Sequence, residues 1–316
     1  MMKLQTDVVP QSEGLFLSHD NKVLLIGSCF TDSIGERLEY FGFQCLRNPF
    51  GILYNPFSIA SCLEYCISNK HVSDESLIFH NNLWHSWLHH SKFSNISKQD
   101  CLQICNSEIE KASAYLKTVD YIILTWGTAL AYELKDNNLV VGNCHKVPST
   151  YFERRLLTIE EIEERYIELG KKIHTINPTA KIILTVSPIR HWKEGFRENL
   201  LSKSVLHLAV DLLRKKSDRF YYFPSYEIVM DELRDYRFYE RDMLHPNPIA
   251  IDIIWDRFLE TYSNTNVREV CMLVDKYRKM KQHKPFFPDS EEYKQHQSKM
   301  EILYKRLESI LGRALL

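Results

Sequence analysis

The stretch Val23-Leu24-Leu25-Ile26-Gly27-Ser28-Cys29-Phe30-Thr31 decides the fold, because an apolar run reaches a glycine and then two nucleophilic side chains. Val23 to Ile26 is too short for a helix and too apolar for a surface strand, so it predicts a strand buried on both faces. Phe30, Ile34, Leu38 and Phe41 follow at helical spacing. Ser28 and Cys29 therefore stand at a strand-to-helix turn. Free N–H groups and the positive end of the helix dipole meet there, and both favour a thiolate or a developing oxyanion.

Working outward, the same alternation recurs. Phe43 to Leu46 predicts a second strand, ended by Asn48-Pro49-Phe50-Gly51-Ile52-Leu53-Tyr54-Asn55-Pro56, whose prolines, asparagines and glycine fix a loop. A helix follows from a Ser58 cap, with Ile59, Cys62, Leu63, Cys66 and Ile67 along it. Leu77 to Leu88 reads as two short strands meeting at Asn81-Asn82, His89 to Ser94 as loop, and Ser97 to Val119 as helix. Tyr121 to Thr125 is a third buried strand running into Trp126-Gly127-Thr128, and a small hairpin with Asp136-Asn137-Asn138 at its tip comes next. Thr158-Ile159-Glu160-Glu161 is a capping box opening a helix that Asn177-Pro178 stops. Lys181 to Val186, a helix over 203–216 and Phe220 to Phe223 complete the series.

Strands alternating with helices predict an α/β fold, a parallel sheet of about five strands covered on both faces, with small β-hairpin insertions. Reactive loops of such sheets gather outside the carboxyl ends of the strands. That rule brings Gly27-Ser28-Cys29, the 48–56 loop, Gly127-Thr128 and Ser187-Pro188-Ile189-Arg190-His191 to one edge. The chain has 316 residues, 44% of them hydrophobic, enough for one large domain over 1–265 with an appendage over 266–316. Beyond about Val267, leucines at helical spacing among lysine, glutamate and glutamine predict two helices split by Pro285 to Pro288. They read as a solvated helical tail that packs on the domain or joins two copies in a homo-oligomer.

Forty Lys and Arg against 41 Asp and Glu, with no dense basic run, argue against a nucleic-acid partner. Met1 to Asp20 lacks the basic and apolar regions of a signal peptide, and no run is long enough to span a bilayer, so the expected location is the cytoplasm, away from membranes. The eight cysteines form no CxxC pair, so they are expected as reduced thiols. His85 and His89 have the spacing of helical metal ligands but sit in a strand or loop pattern without a carboxylate, and neither a metal nor a cofactor is expected.

Asp242-Met243-Leu244-His245 sets a carboxylate three residues before a histidine, at the expected start of a helix. Such a carboxylate can fix the imidazole tautomer and leave the other ring nitrogen to take a proton from a nucleophile. His145 with Lys146, and Arg190 with His191, lie on loops at the reactive edge and are candidates for holding an anionic or sugar part of a substrate.

With these residues in view, the chain resembles the GSCFA family through Gly27-Ser28-Cys29-Phe30-Thr31, Asn48-Pro49-Phe50-Gly51, Asn143-Cys144-His145-Lys146, Ser187 to His191 and Asp242 to His245. That family is similar to the SGNH or GDSL hydrolases, which carry a nucleophile after the first strand of a flavodoxin-like, three-layer sandwich and a DxxH near the end. The resemblance implies hydrolysis of an acyl ester, such as an O-acyl group on a carbohydrate, with Asp242 as the orienting acid and His245 as the base. Laid on without a gap, the hydrolase pattern Gly-Asp-Ser-x-Thr puts Cys29 at the nucleophile position; Ser28 is the alternative. Serine needs the base to remove its proton during attack, whereas a cysteine at a helix N-terminus can already be a thiolate.

The resemblance also implies oxyanion donors from the nucleophile's N–H, a glycine N–H after the second strand and an asparagine after the third. Gly51 matches the glycine by position, but Gly127-Thr128-Ala129-Leu130 stands where the glycine and asparagine belong, leaving Gly127, Thr128 or Asn143 to substitute. One missing donor costs about 10²–10³ in rate, so a binding module that kept the pocket and lost fast chemistry is the competing reading. An acyltransferase or cysteine hydrolase using Cys29 is a further variant.

Overall fold

The computed structural model describes residues 6–193 and 195–315. Strand β1 (Lys22–Gly27) leads into α1 (Cys29–Tyr40), β2 (Gln44–Arg47) and α2 (Pro56–Ser68). A hairpin of β3 (Leu77–His80) and β4 (Leu83–Ser86) precedes α3 (Lys98–Leu116) and β5 (Tyr121–Trp126). A second antiparallel pair, β6 (Leu130–Leu134) and β7 (Phe152–Leu156), precedes α4 (Ile159–Ile176), β8 (Lys181–Val186), α5 (Phe196–Lys216) and β9 (Phe220–Tyr222). One helical turn, α6 (Ser225–Glu227), is followed by α7 (Pro248–Tyr262), α8 (Thr265–Gln282) and α9 (Glu291–Leu311).

The apolar runs are continuous because helices cover both faces of the sheet they build. Its five strands lie in the order β2-β1-β5-β8-β9, every neighbouring pair parallel, which is the flavodoxin-like doubly wound arrangement. The period of two sorts the side chains. Leu24, Ile26, Ile122, Leu124, Ile182 and Leu184 join the inner faces of α2, α3, α4 and α5 in one core. Val23, Leu25, Tyr121, Ile123 and Ile183 join α1, α7 and the start of α8 in the other.

Several local expectations shift. α2 begins at Pro56, and its cap is Asn55, whose side chain accepts from the Ser58 N–H, rather than Ser58 itself. Proline at the first helical position gives up a donor that has no helical partner anyway, so the residue before it takes the capping role. α5 starts at Phe196 rather than near 203, which puts Lys203 inside a long helix. The Asn81-Asn82 turn forms as expected, with φ of 50° and 62° at the two residues. The turn at 136–138 carries only a single bridge, Glu133 to Val140, because β6 pairs in full with β7, whose charged Phe152-Glu153-Arg154-Arg155-Leu156 has little strand signature.

Of the expected placements of the C-terminal helices, packing on the domain is the one seen. Val267 and Cys271 of α8 enter the core under α1 and α7, and α9 folds back on α8 through Val274, Tyr277, Leu303 and Leu307. Arg313 then donates to the carbonyls of His19 and Gly42 at 2.8 and 2.7 Å, tying the end of the chain to the loops around β1 and β2. All eight cysteines are free thiols. Among the described residues no helix is long and apolar enough to cross a membrane.

Candidate active site

The turn after β1 is forced by a close approach. A Cβ on Gly27 would come within 2.3 Å of the Thr125 carbonyl oxygen, at a φ of +155°. The Gly27 N–H donates to Asn48 Oδ1 at 2.9 Å, and Asn48 passes the bond on to Asp32, so the first two strand ends are locked together. Gly27→Ala is expected to destabilise the fold by about 2–4 kcal/mol, since backbone cannot yield as a side chain can. An unchanged denaturation midpoint would refute the close approach.

Ser28 and Cys29 then part company. The Ser28 N–H bonds to the Thr125 carbonyl at 3.2 Å, while its hydroxyl is buried with no hydrogen-bond partner and caps nothing. Cys29 opens α1 and sets its Sγ 3.6 Å from His245 Nε2. Burial pushes the Cys29 thiol up, and hydrogen bonds from the N–H groups of Phe30 and of Cys29 itself pull it partly back. The resting group is thus a thiol rather than the free thiolate that the helix N-terminus alone would favour.

The Asp242 to His245 segment is a loop before α7, not the start of the helix, whose cap is Asn247. It folds around its own carboxylate: Asp242 Oδ1 accepts from the N–H of Leu244 at 2.9 Å and of His245 at 3.0 Å. The other oxygen, Oδ2, lies 2.6 Å from His245 Nδ1. The backbone N–H groups of His245 and Leu244, with the imidazole, hold the Asp242 carboxyl down to about 2. The carboxylate therefore keeps the proton of His245 on Nδ1 and leaves Nε2 bare toward Cys29.

Beside this pair lies a cavity of about 420 Å³, walled by Tyr54, Asn55, Tyr132, Asn143, His191 and Asn199 among others. Its floor is fixed by α5. Ser202 Oγ accepts from the Ala129 N–H at 2.7 Å and meets Thr128 Oγ1 at 2.9 Å. Lys203 is fully buried, and its Nζ donates to the carbonyls of Gly127 at 2.7 Å and Ser187 at 2.6 Å, joining the ends of β5 and β8. Burial lowers the Lys203 amine to about 7.

Three of the expected oxyanion donors, Gly51, Gly127 and Thr128, are engaged elsewhere. The Gly51 N–H is bound to the Asn48 carbonyl at 2.8 Å, and its glycine is required because a Cβ would strike His90 at a φ of +78°. The N–H groups of Gly127 and Thr128 both go to the Tyr54 carbonyl, at 2.7 and 3.0 Å, and the Thr128 hydroxyl faces Ser202. Asn143 does line the cavity; its Oδ1 accepts from the His145 N–H, which leaves the amide NH₂ end to donate. His145 does not reach the site: it is buried, bonded to the Ser86 carbonyl and stacked on His85, and burial holds it neutral at about 4. Arg190 is not among the residues that wall the cavity.

His191, by contrast, lines the cavity, and one of its ring nitrogens lies within 4.8 Å of both Cys29 Sγ and a His245 nitrogen. The His85 and His89 rings are held by Ser94, the His80 carbonyl and Ser86, in β4 and in the loop that follows it. Lys203, Asn55 and Asn199 escaped the reading of the sequence. A lysine amid α5 looks like any solvated helix position, and only Leu206 and Val210, three and seven residues on, hinted that this face turns inward.

Two solved structures share part of the chain's course. An α/β hydrolase from the metagenome of Lake Arreo, Spain, is 12% identical with a TM-score of 0.41, over 78% of this chain and 97% of that one. An acetyl xylan esterase from the rumen bacterium Butyrivibrio proteoclasticus is 12% identical with a TM-score of 0.38, over 76% of this chain and 63% of that one. No curated protein matches. The model of the GSCFA family matches residues 22–258, taking in the turn after β1, the floor and the Asp242–His245 loop, and the chain belongs to that family.

Proposed function

We propose that the chain hydrolyses acyl esters with Cys29 as nucleophile, His245 as general base and Asp242 as the acid that orients it. The observation that carries this reading is the relay from Cys29 Sγ to His245 Nε2, 3.6 Å, and from His245 Nδ1 to Asp242 Oδ2, 2.6 Å. It stands at the carboxyl ends of a doubly wound sheet beside a cavity.

Because the thiol rests neutral, the base acts during attack. His245 Nε2 takes the proton as Sγ closes on the acyl carbon, and the imidazolium is stabilised by Asp242. The negative charge on the former carbonyl oxygen is met by the N–H groups at the start of α1, with the amide of Asn143 as the side-chain donor from the cavity wall. Collapse releases the alcohol, which leaves with the proton of His245. Water, activated by the same nitrogen, then cleaves the thioester; an acceptor alcohol in its place makes the same site an acyltransferase. Two tyrosine rings, Tyr54 and Tyr132, among the amides of Asn55, Asn143 and Asn199 suit a leaving alcohol rich in hydroxyls, such as a sugar.

One observation favours a second reading, a binding module on the same fold: the amides of Gly51, Gly127 and Thr128 are all engaged elsewhere. Release of p-nitrophenol from p-nitrophenyl acetate separates the two. Wild type is expected to turn over, and His245→Ala to lose about 10²–10⁴ of the rate. Equal rates in the two proteins, or no turnover and no covalent acyl adduct on wild type, would leave the binding module standing.

A further inference from the structure

Cys29, His191 and His245 come from three separate loops, after β1, after β8 and before α7, yet each presents a ligand atom within 4.8 Å of the other two. A thiolate with two imidazoles is a donor set of intermediate softness that suits zinc. Tetrahedral zinc with Zn–S near 2.3 Å and Zn–N near 2.0 Å needs ligand atoms about 3.3–3.7 Å apart. The Cys29 Sγ to His245 Nε2 separation, 3.6 Å, already meets that, and with His191 within 4.8 Å of both, closing the triangle takes no more than about 1.5 Å of side-chain movement.

Two further observations point to a ligand. His191 Nε2 is buried without any hydrogen-bond partner, an orphaned lone pair or N–H that a protein ordinarily satisfies. His245 is held by Asp242 through Nδ1, the carboxylate–histidine support that fixes a metal-ligating imidazole with its other nitrogen bare. His191 also lines the cavity, so one of the three candidate ligands stands at its wall.

We propose that Cys29, His191 and His245 bind a zinc ion that caps the nucleophile and switches the site off. On binding, the S–H bond breaks, its proton passes to water and a Zn–S bond forms, while the lone pair of His245 Nε2 goes to the metal. Nucleophile and base are then both ligands. Neither is free to attack or to take a proton. The inhibitory consequence rests on the esterase reading; the binding does not.

Chelator-treated protein dialysed against zinc chloride is expected to retain one zinc per chain, with affinity at least about tenfold weaker in Cys29→Ser and in His191→Ala. Cobalt in place of zinc should give a thiolate charge-transfer band that Cys29→Ser removes. Zinc should also shield Cys29 from iodoacetamide, read by peptide mass mapping, and lower p-nitrophenyl acetate turnover in proportion to occupancy until chelator restores it. Zinc held equally by both variants, or a Cys29 alkylated as fast with zinc as without, overturns the site. Turnover unchanged or raised at full occupancy overturns the capping role. A metal-free protein that turns over no ester, while zinc still protects Cys29, counts against the esterase alone.

Discussion

Cys29→Ala is expected to lower ester turnover by about 10⁴-fold or more, while Ser28→Ala stays within about twofold of wild type. The two residues are adjacent, but the start of α1 turns them apart. Cys29 Sγ reaches His245 Nε2, whereas Ser28 Oγ is buried with no partner at all. Removing an unsatisfied buried hydroxyl costs no hydrogen bond, so Ser28→Ala should also leave stability unchanged or raise it by about 0–1 kcal/mol. Rates measured with p-nitrophenyl acetate, beside the denaturation midpoint of each variant, decide the matter. An inactive but folded Ser28→Ala with an active Cys29→Ala would move the nucleophile to Ser28.

Lys203→Ala is expected to cost about 3–6 kcal/mol of stability and to take the activity with it. Each of the two carbonyls it serves, Gly127 and Ser187, loses a charge-assisted or neutral N–H donor in a place water does not reach, at about 1–3 kcal/mol apiece, and the emptied stem leaves a cavity. Lys203→Met keeps most of the volume and isolates the amine. The folded amine titrates near 7, below its usual 10.5. Below pH 7 it is charged in both states and the folded protein bears the full cost of burying it. From about 7 to 10.5 the unfolded chain holds a proton that the folded chain has shed, so stability rises with pH by up to about 1.4 kcal/mol per unit. The advantage of wild type over Lys203→Met should therefore widen from pH 7 to 9. A gap that stays flat across that range would mean an amine charged throughout, held by its two carbonyls alone.

Much of the scaffold was legible from local patterns. Val23 to Ile26, Tyr121 to Thr125 and Lys181 to Val186 read as strands because a run that is apolar on both sides is stable only between two layers of helix. The Asn81-Asn82 turn and the Thr158–Glu161 capping box announce themselves because left-handed φ and helix caps select particular side chains within a few residues. β7 stayed hidden for the opposite reason: as half of a surface hairpin, Phe152 to Leu156 buries little and needs no apolar alternation.

The candidate site divides along the same line. From the sequence alone come the turn that carries Ser28 and Cys29, the sheet edge on which that turn lies, and an aspartate three residues before His245 that can orient its ring, since each depends on neighbours within a few positions. Only the tertiary structure decides that Cys29 and not Ser28 meets His245, across 216 residues of chain. It alone shows that the amides of Gly127 and Thr128 are consumed by the Tyr54 carbonyl, that His145 serves a hairpin, and that Lys203 lies beneath the floor. Those facts rest on hydrogen bonds and burial between segments far apart in sequence, where residue type constrains what a side chain can do but not which partner it finds.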